Sequence, residues 1–555
     1  MIKMCPSKPN LIIVNAEVWT LETPDEAWDE ITAVAISGNR ILALGTDAEI
    51  RALSDGTAAV VNAGGRTLIP GIVDAHTHFQ VAAIQRHLYV DFSVTSPADL
   101  RDVLAAMCTR VSATQPGEWV RGDGLRHLEL AEQRFPTRAE LDALSTEHPI
   151  VLVGQGHHAV AANSMALAIA GIDEYTADPP GGKLEREVSG RLNGILVERG
   201  KLRLDPFAYD TVVPICTSEE RSASLQEAFR HAHSFGITGI HDVLADPLEV
   251  TSYIEMKNAG TLGLRVKMLL RAVGTETKIP LEYLAGLGLI HGLGDEWLRF
   301  DGVKMSVDGS HYQRAAATYE PYIGQPDNFG EVRIDQKQLD DAVSRCHNLG
   351  VRAVVHAVGP RAVDMTCKSF EIAIERFGKK PIRHRIEHAF LPPFANQLNR
   401  IAGLGLTIST QAALIRDAKA MTEVFGADSL QGVLALRDML AMGIPVLAGT
   451  DFPGVPINPF VGIGFAVNRL AIDGRLIDES QAISLWKSLA LYTKNAAWSS
   501  YQDHIVGTLT PGKLADLVLL DRPLRNTRAD ELNEVQADLT ILDGVPVYDR
   551  HSAIR

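Results

Sequence analysis

Short apolar runs bounded by turn residues dominate both ends of the chain. The first segment contains NLIIVNAEVWTL, ITAVAISGNRILALG and AAVVNAGGRTLIPG, and the last contains GTLTPGKLADLVLLD and QADLTILDGVPVYD. Runs of this kind, separated by turns such as SGNR, are typical of β-strands. We therefore expect residues 1–67 and 500–555 to pair into one small β-sandwich domain.

Between these ends, strand-like apolar runs alternate with amphipathic helical stretches such as DQKQLDDAVSRCHNLG, which ends in a glycine as many helices do. The strand-like runs are TLIPGIVDAHTH, GITGIHDV, GLRVKMLLR, LRFDGVKMSVDG, VRAVVHAVG, IRHRIEHA, LTISTQA and IPVLAGTDF. Eight such runs are the number that closes a (β/α)₈ barrel. We therefore predict an α/β fold with a (β/α)₈ TIM barrel over residues 68–499.

The chain between the first and second predicted strands is far longer than one crossover helix requires. We assign residues of about 85–210 to an inserted subdomain, which contains the Pro- and Gly-rich stretch DPPGGKLEREVSGRLNG. The predicted architecture is thus a TIM barrel with a small β-sandwich built from both termini and an insertion after the first barrel strand.

Composition narrows the class of protein. The 555 residues are 46% hydrophobic and 22% charged, as in an ordinary globular protein, and the net charge of −15 disfavours nucleic acid or an anionic membrane as partner. No apolar run reaches membrane-spanning length, and the N-terminal MIKMCPSKPN lacks the apolar segment of a signal peptide. Five scattered cysteines without CxxC spacing disfavour a disulfide framework or a thiolate zinc site. We expect a cytoplasmic protein.

Polar side chains follow the apolar residues of several predicted barrel strands. From the first strand to the eighth they are His76, His78, Lys304, His356, His388 and Asp451. Each has a structural explanation when taken alone, such as a hydrogen-bonded histidine, a snorkelling lysine or a turn-forming aspartate. Because the chemistry of such barrels lies at the C-terminal strand ends, these residues should converge there. Together they form a ligand set for two divalent metal ions, with zinc favoured over manganese, iron or nickel.

The same residues resemble the amidohydrolase superfamily, and more narrowly its third amidohydrolase group, which includes N-substituted formamide deformylases and YtcJ-like proteins. The matching motifs extend over most of the chain and include LIPGIVDAHTH, GITGIHD, VKMSVDGS, HAVGPRAVD, RHRIEHA and GTDFPGVPINPFVGI. The closing PGKLADLVLLD is shared by many amidohydrolases and supports only the superfamily.

The resemblance implies a binuclear metal centre. His76, His78 and Asp451 would bind the more buried ion, and the histidines that end the fifth and sixth strands would bind the second. Lys304, carboxylated by CO₂, would bridge both ions, since an unmodified ammonium group has no lone pair for a metal. Without carboxylation we expect one tightly held Zn²⁺ per chain instead of two.

These expectations indicate a metal-dependent hydrolase that acts on carbon–nitrogen bonds other than peptide bonds. It would cleave a small N-substituted formamide, N-acyl compound or cyclic amide by attack of a metal-bound hydroxide. The predicted catalytic residues are Asp451, Lys304 and His356, with Asp451 moving the proton from water to the leaving nitrogen. The alternative is a metal-dependent deaminase or isomerase on the same scaffold. A non-catalytic barrel is disfavoured because all ligand positions are filled.

Further polar residues near the predicted rim are candidates for substrate binding, although a solvated or structural role is equally compatible with the pattern. They are His158, Asp308, Arg314, Tyr322 and Gln411. By resemblance, His158 in GQGHHAVAANS corresponds to a histidine that approaches the substrate from the inserted domain. A structural interpretation is favoured for a second group near strand or loop ends, which comprises His87, His127, His241 and His311.

The residues expected to line the substrate pocket depart from the family pattern. EWVRGDGLRH lacks the usual aromatic residue after its glycine, and VGQGHH replaces the common DGH. HYQRAAATYEPY is bulkier and more polar than the usual small residues after DGS, and Phe452 stands where a small residue is commoner. These changes leave the metal chemistry intact and the identity of the small-molecule substrate open. A homodimer is compatible with such a barrel, and the sequence leaves the oligomeric state open.

Overall fold

The computed structural model describes residues 8–22, 31–92, 97–155, 159–179, 182–206, 211–214, 216–272, 281–286, 292–394, 396–426 and 430–552. The chain forms two compact units. One is the inserted segment Gln80–Glu227, and the other contains the residues before and after it. Over these described ranges, no helix combines the length and the apolar character needed to cross a bilayer.

Eight parallel strands form the central sheet of the larger unit, and each pairs with the next one along the chain. We number them β1 (Ile72–Thr77), β2 (Ile237–Leu244), β3 (Arg265–Arg271), β4 (Leu298–Ser306), β5 (Ala353–Ala357), β6 (Arg385–His388), β7 (Thr407–Thr410) and β8 (Val446–Ala448). Their side chains are almost all buried, as expected for parallel strands that lie between a packed interior and covering helices. The predicted barrel is confirmed.

The ring of strands closes between β8 and β1. Oδ1 of Asp74 accepts a hydrogen bond from the backbone N–H of Thr450 at 2.8 Å, and the Thr450 hydroxyl donates to Oδ2. The backbone N–H of Asp451 donates to the carbonyl of His76 at 2.8 Å. A Cβ on Gly449 would lie only 2.3 Å from the backbone nitrogen of His76. The close approach of the two strands therefore requires glycine at position 449.

Helices connect the strands of the barrel. The segment predicted from DQKQLDDAVSRCHNLG forms Gln336–Leu349, which begins where Asp335 accepts from the N–H of Gln338 and ends at Gly350 with φ 78°. The other helices of this unit are Asp47–Ala52, Pro247–Asn258, Leu281–Gly286, Pro360–Phe377, Gln397–Leu404, Ala418–Phe425, Leu436–Ala441, Pro459–Asn468, Leu485–Leu491 and Lys494–Ser499. Short 3₁₀ turns in the same unit are Ala412–Ile415, Glu479–Gln481, Leu524–Asn526 and Ala529–Glu534.

Two sheets from the chain ends pack face to face. The first consists of Arg40–Gly45, Ala33–Ser37, Leu11–Val14 and Ala59–Asn62, and the second of Glu17–Val18, Thr67–Pro70, Leu517–Leu520, Ala537–Leu542 and Val545–Asp549. Leu11 and Val34 of the first sheet share one apolar core with Leu68, Leu517 and Leu539 of the second. This confirms the β-sandwich built from both termini.

The inserted unit contains its own six-stranded sheet. In spatial order its strands are Gly182–Arg186, Leu192–Glu198, Ala159–Ala162, Ile150–Gly154, Val120–Leu125 and Val90–Asp91. Ile150 and Leu152 belong to one apolar cluster, whereas Val151 and Val153 belong to another, as strand alternation requires when both faces are covered. The helices that precede, connect or follow these strands along the chain are Phe79–Leu88, Leu100–Ser112, Arg138–Asp142, Ser164–Ile169 and Ser218–His233. The 3₁₀ turns of this segment are His127–Glu129 and Arg199–Lys201. The insertion after the first strand is confirmed, and the numerical domain limits given above stay predictions.

Gly449→Ala tests the closure of the barrel. The added Cβ would meet the backbone of His76 at 2.3 Å, so β8 must move away from β1, and we expect a loss of roughly 1–3 kcal/mol in the free energy of unfolding. Urea unfolding followed by circular dichroism measures this change. The matched control is Gly403→Ala, whose Cβ would meet no atom within 4 Å and which should unfold at an equal or higher urea concentration. Equal midpoints for the two variants would contradict the closure described here.

Candidate metal centre

His76, His78 and Asp451 form a compact cluster at the C-terminal ends of β1 and β8. One ligand atom from each residue lies within 4.8 Å of the other two. Nε2 of His76 lies 3.3 Å from Oδ1 of Asp451, and Nε2 of His78 lies 3.6 Å from the same oxygen. Ligand atoms around a tetrahedral zinc ion are about 3.4 Å apart, given bonds of about 2.1 Å. The spacing of the cluster therefore suits a single divalent cation.

The ring of His76 is oriented by a buried carboxylate. Nδ1 of His76 contacts Oε2 of Glu387, while Oε1 of Glu387 accepts from Nε of Arg385. A carboxylate at Nδ1 holds the proton there and leaves the lone pair on Nε2 for a metal, an arrangement common among metal-binding histidines. Nε2 of His76 is buried and has no hydrogen-bond partner within the described chain.

The backbone at the end of β6 brings two neighbouring side chains to the same site. Regular alternation would place Glu387 and His388 on opposite faces of the strand. His388 instead has φ 74°, and its ring centroid lies 5.0 Å from that of His76. Asp451 has φ 63° at the end of β8. Left-handed backbone at a non-glycine residue costs roughly 1–3 kcal/mol and is concentrated at functional sites.

A second pair of imidazoles adjoins the first. The ring centroids of His356 and His388 are 4.4 Å apart. Nδ1 of His388 donates to Oε1 of Gln411 at 2.6 Å, which leaves Nε2 of this ring with a lone pair. Nε2 of His356 is buried, lies 3.6 Å from Oδ1 of Asp308, and lacks a hydrogen-bond partner in the ranges given above. These imidazoles offer donor atoms for a second cation.

Lys304 is buried on β4, and the charges of Glu387 and Asp451 act on it. Burial lowers the pKa of Lys304 to about 8, against the opposing effect of the Glu387 carboxylate. Burial also lowers the pKa of His78 well below its usual value and that of His388 to about 4. Neutral imidazole is the form that binds metal. The environment therefore favours neutral imidazole at His78 and His388, whereas Glu387 and Asp451 raise the pKa of His76 against the effect of burial.

Asp451 is held as a carboxylate. Burial alone would raise its pKa, but the neighbouring imidazoles of His76, His388 and His78 together outweigh burial. The pKa of Asp451 therefore lies below its usual value. An ionised carboxylate can bind a cation or accept a proton.

The structure gives Asp308 three backbone partners. Its carboxylate accepts from the N–H groups of Ala317 at 2.9 Å, Val358 at 3.0 Å and Gly359 at 2.8 Å. It is fully buried and ties the loop after β4 to the turn after β5. These contacts fix the loops that follow β4 and β5 beside the candidate metal centre. A contact between Asp308 and the substrate stays a prediction.

The other predicted substrate residues lie in different environments. Arg314 is partly exposed and donates to the carbonyl of Ile323 at 3.0 Å, and the buried Tyr322 hydroxyl donates to the carbonyl of Ala316 at 2.7 Å. Gln411 is buried against His388. His158 lies outside the described residues. The structure therefore leaves the substrate-binding roles of these residues as predictions.

Sequence reasoning missed Glu387. It stands two residues after Arg385 on the same face of β6, and both side chains are fully buried. An Arg–Glu pair at i and i+2 on one face of a barrel strand is the signal that could have identified it, because buried charges are normally paired or bound to metal.

Comparison with known proteins identifies the family of the chain. The sequence profile of the amidohydrolase family matches residues 59–548. An N-substituted formamide deformylase from Arthrobacter pascens is 28% identical over 98% of each chain, and the protein LONG AFTER FAR-RED 3 from Arabidopsis thaliana is 30% identical over 92% of this chain and 87% of its own. A solved metal-dependent hydrolase from Pyrococcus furiosus has a TM-score of 0.73 at 24% identity, covering 92% of this chain and 98% of its own. The chain therefore belongs to the amidohydrolase family, as its motifs predict, and is a hydrolytic enzyme.

Proposed function

We propose that this amidohydrolase hydrolyses the C–N bond of a small amide, with an N-substituted formamide, N-acyl compound or cyclic amide as substrate. The convergence of His76, His78 and Asp451 within 4.8 Å carries this proposal. The relative that acts as an N-substituted formamide deformylase spans 98% of this chain and supports the formamide class.

The donor atoms fit zinc. Nε2 of His76 and Nε2 of His356 are buried without a hydrogen-bond partner in the described part of the protein. An unpartnered buried polar atom costs roughly 1–3 kcal/mol, and coordination to a metal removes this cost. Imidazole and carboxylate are the ligand types that zinc accepts, so His76, His78 and Asp451 would hold the first ion.

A second ion would lie at His356 and His388. We propose that the neutral amine of Lys304, which is buried on β4 among the same charges, adds to CO₂ and releases a proton. The product is an anionic carbamate whose two oxygens can bind cations, whereas an ammonium group repels them. Bound zinc supplies Lewis acidity, which polarises a carbonyl oxygen and lowers the pKa of a water molecule towards about 7.

Asp451 moves the proton. Its carboxylate is kept ionised beside His76, so it can accept a proton from the attacking water and deliver it to the leaving nitrogen. Glu387 holds the ring of His76, and Gln411 holds the ring of His388, so neither ring can turn away from the site.

Asp451→Asn tests the proton transfer. The amide keeps a similar shape but cannot act as a base, so turnover should fall by roughly 10²–10⁴-fold while most of the zinc is retained. Mass spectrometry measures the turnover of N-formyl, N-acyl and cyclic amides by the zinc-loaded wild type and variant. Plasma emission spectrometry measures the zinc content of the same two proteins. Wild-type products of unchanged mass would favour an isomerase, and ammonia release from a ring amine would favour a deaminase. Undiminished turnover in Asp451→Asn would show that another group is the base.

Glu387→Gln tests the orientation of His76. Loss of the carboxylate removes the acceptor that holds the proton on Nδ1, so zinc affinity should fall by about 10–100-fold. Competition with a chromogenic chelator measures this affinity. Glu375→Gln, an exposed change of the same chemistry on helix Pro360–Phe377, should bind zinc like the wild type. Thermal unfolding of both metal-free variants separates a loss of affinity from a loss of fold, and an unchanged affinity in folded Glu387→Gln would refute this role.

A further inference from the structure

A small cavity lies at the N-terminal end of the barrel, away from the candidate metal centre. It is lined by His241 of β2, by Arg265 and Lys267 of β3, and by Ser500, which follows helix Lys494–Ser499. Inside it, the centre of a water-sized particle has about 20 Å³ of space, and about 10–15 Å³ is enough for one such particle. The cavity therefore has room for one water molecule or one monatomic ion.

Two cationic side chains in the wall of this cavity each have a buried nitrogen without a partner. Arg265 and Lys267 stand at i and i+2 on β3, so they lie on the same face of the strand. Nε and Nη2 of Arg265 donate to Asp516 at 2.6 and 2.9 Å, and Nη2 also donates to Asp543 at 2.8 Å. Nη1 of Arg265 and Nζ of Lys267 are buried and meet no hydrogen-bond partner in the part of the chain that the structure describes. Because a charged donor is costly to bury without an acceptor, the cavity should hold a particle that accepts from both nitrogens.

The charges around the cavity decide between a water molecule and an anion. His241 is neutral, because burial lowers its pKa well below its usual value, and its neighbour Arg385 pairs with Glu387. The other charged side chains around Lys267 form four cations and three carboxylates, namely Arg265, Lys267, Arg299 and Arg352 against Asp301, Asp516 and Asp543. Buried charges are normally paired, and one positive charge here exceeds the carboxylates. A water molecule leaves that charge unbalanced, whereas a monovalent anion neutralises it.

We propose that this cavity binds one chloride ion, which accepts hydrogen bonds from Nη1 of Arg265 and Nζ of Lys267. Val243, Leu269 and Val354 form one buried apolar cluster, and each lies further along its strand towards the metal centre than the cavity does. This apolar layer separates the chloride site from the zinc ligands, so the ion stabilises the fold and does not contact the substrate. The inference does not rest on the proposed amide hydrolysis.

Bromide, a heavier halide, is the probe that locates the ion. Crystals of the zinc-loaded wild type are grown in sodium bromide without chloride, and diffraction is recorded on both sides of the bromine absorption edge. We expect an anomalous peak that appears only above this edge, in hydrogen-bond contact with Nη1 of Arg265 and Nζ of Lys267. A bromide ion bound to zinc would give a separate peak among the zinc ligands. A water molecule in the cavity without a bromine signal, or an empty cavity, would overturn the inference.

Thermal unfolding measures what the ion contributes to stability. Sodium chloride replaces sodium gluconate at constant total salt and at about pH 6.5, below the pKa of about 7 to which burial lowers Lys267. Chloride should raise the Tm of the wild type by about 1–2 °C, because a ligand that binds only the folded state stabilises it.

Two variants show whether this rise comes from the cavity. Lys267→Met removes the ammonium group and should lose the chloride-dependent rise in Tm. The matched control Lys487→Met changes an exposed lysine on helix Leu485–Leu491 and should keep it. A rise of equal size in Lys267→Met, or no rise in the wild type, would contradict the stabilising role. The bromide experiment needs the wild type alone, so it decides the inference even if Lys267→Met does not fold.

Discussion

The contact between β8 and β1 is the constraint on which the site depends. Asp74 and Thr450 are 376 positions apart in the chain, and their hydrogen bonds join the first and last strands of the barrel. Burial raises the pKa of Asp74 to about 6, against the opposing hydrogen bonds of Thr450. Because Gly449 lets the strands approach, Asp451 follows directly beside His76. Without this closure, the proposed cation site would lose Asp451, one of its three candidate ligands.

The orientation of the ligands is imposed from inside the barrel. Arg385 donates hydrogen bonds to Glu387 and, at 2.9 Å, to the carbonyl of Ala75. Its guanidinium also lies 2.9 Å from Nδ1 of His241. Ser500 in turn lies 3.0 Å from Nε2 of His241. A buried ion pair contributes little net stability, but its loss is costly, so such a network is better suited to fixing geometry than to strengthening the fold. Here it determines which nitrogen of His76 faces the metal site.

The barrel and the sandwich could be predicted because strand alternation and strand ends leave a periodic pattern in the sequence. The same pattern predicted six ligand positions, of which His76, His78 and Asp451 lie within 4.8 Å of one another. Glu387 could not be identified by the rule that site residues end the barrel strands, because it lies one residue before the end of its strand. His388 reaches the site only through a left-handed backbone, which no side-chain pattern reveals. The hydrogen bonds of Asp308 could not be predicted either, because its carboxylate accepts from backbone N–H groups of two separate loops.

The metal centre is tested most directly by anomalous diffraction at the zinc absorption edge from crystals of the zinc-loaded protein. A peak is expected about 2.0–2.2 Å from Nε2 of His76, Nε2 of His78 and a carboxylate oxygen of Asp451. A second peak between His356 and His388 is expected where Lys304 is carboxylated. A well-occupied zinc ion held by other residues, with His76 and Asp451 still paired to each other, would contradict this metal site.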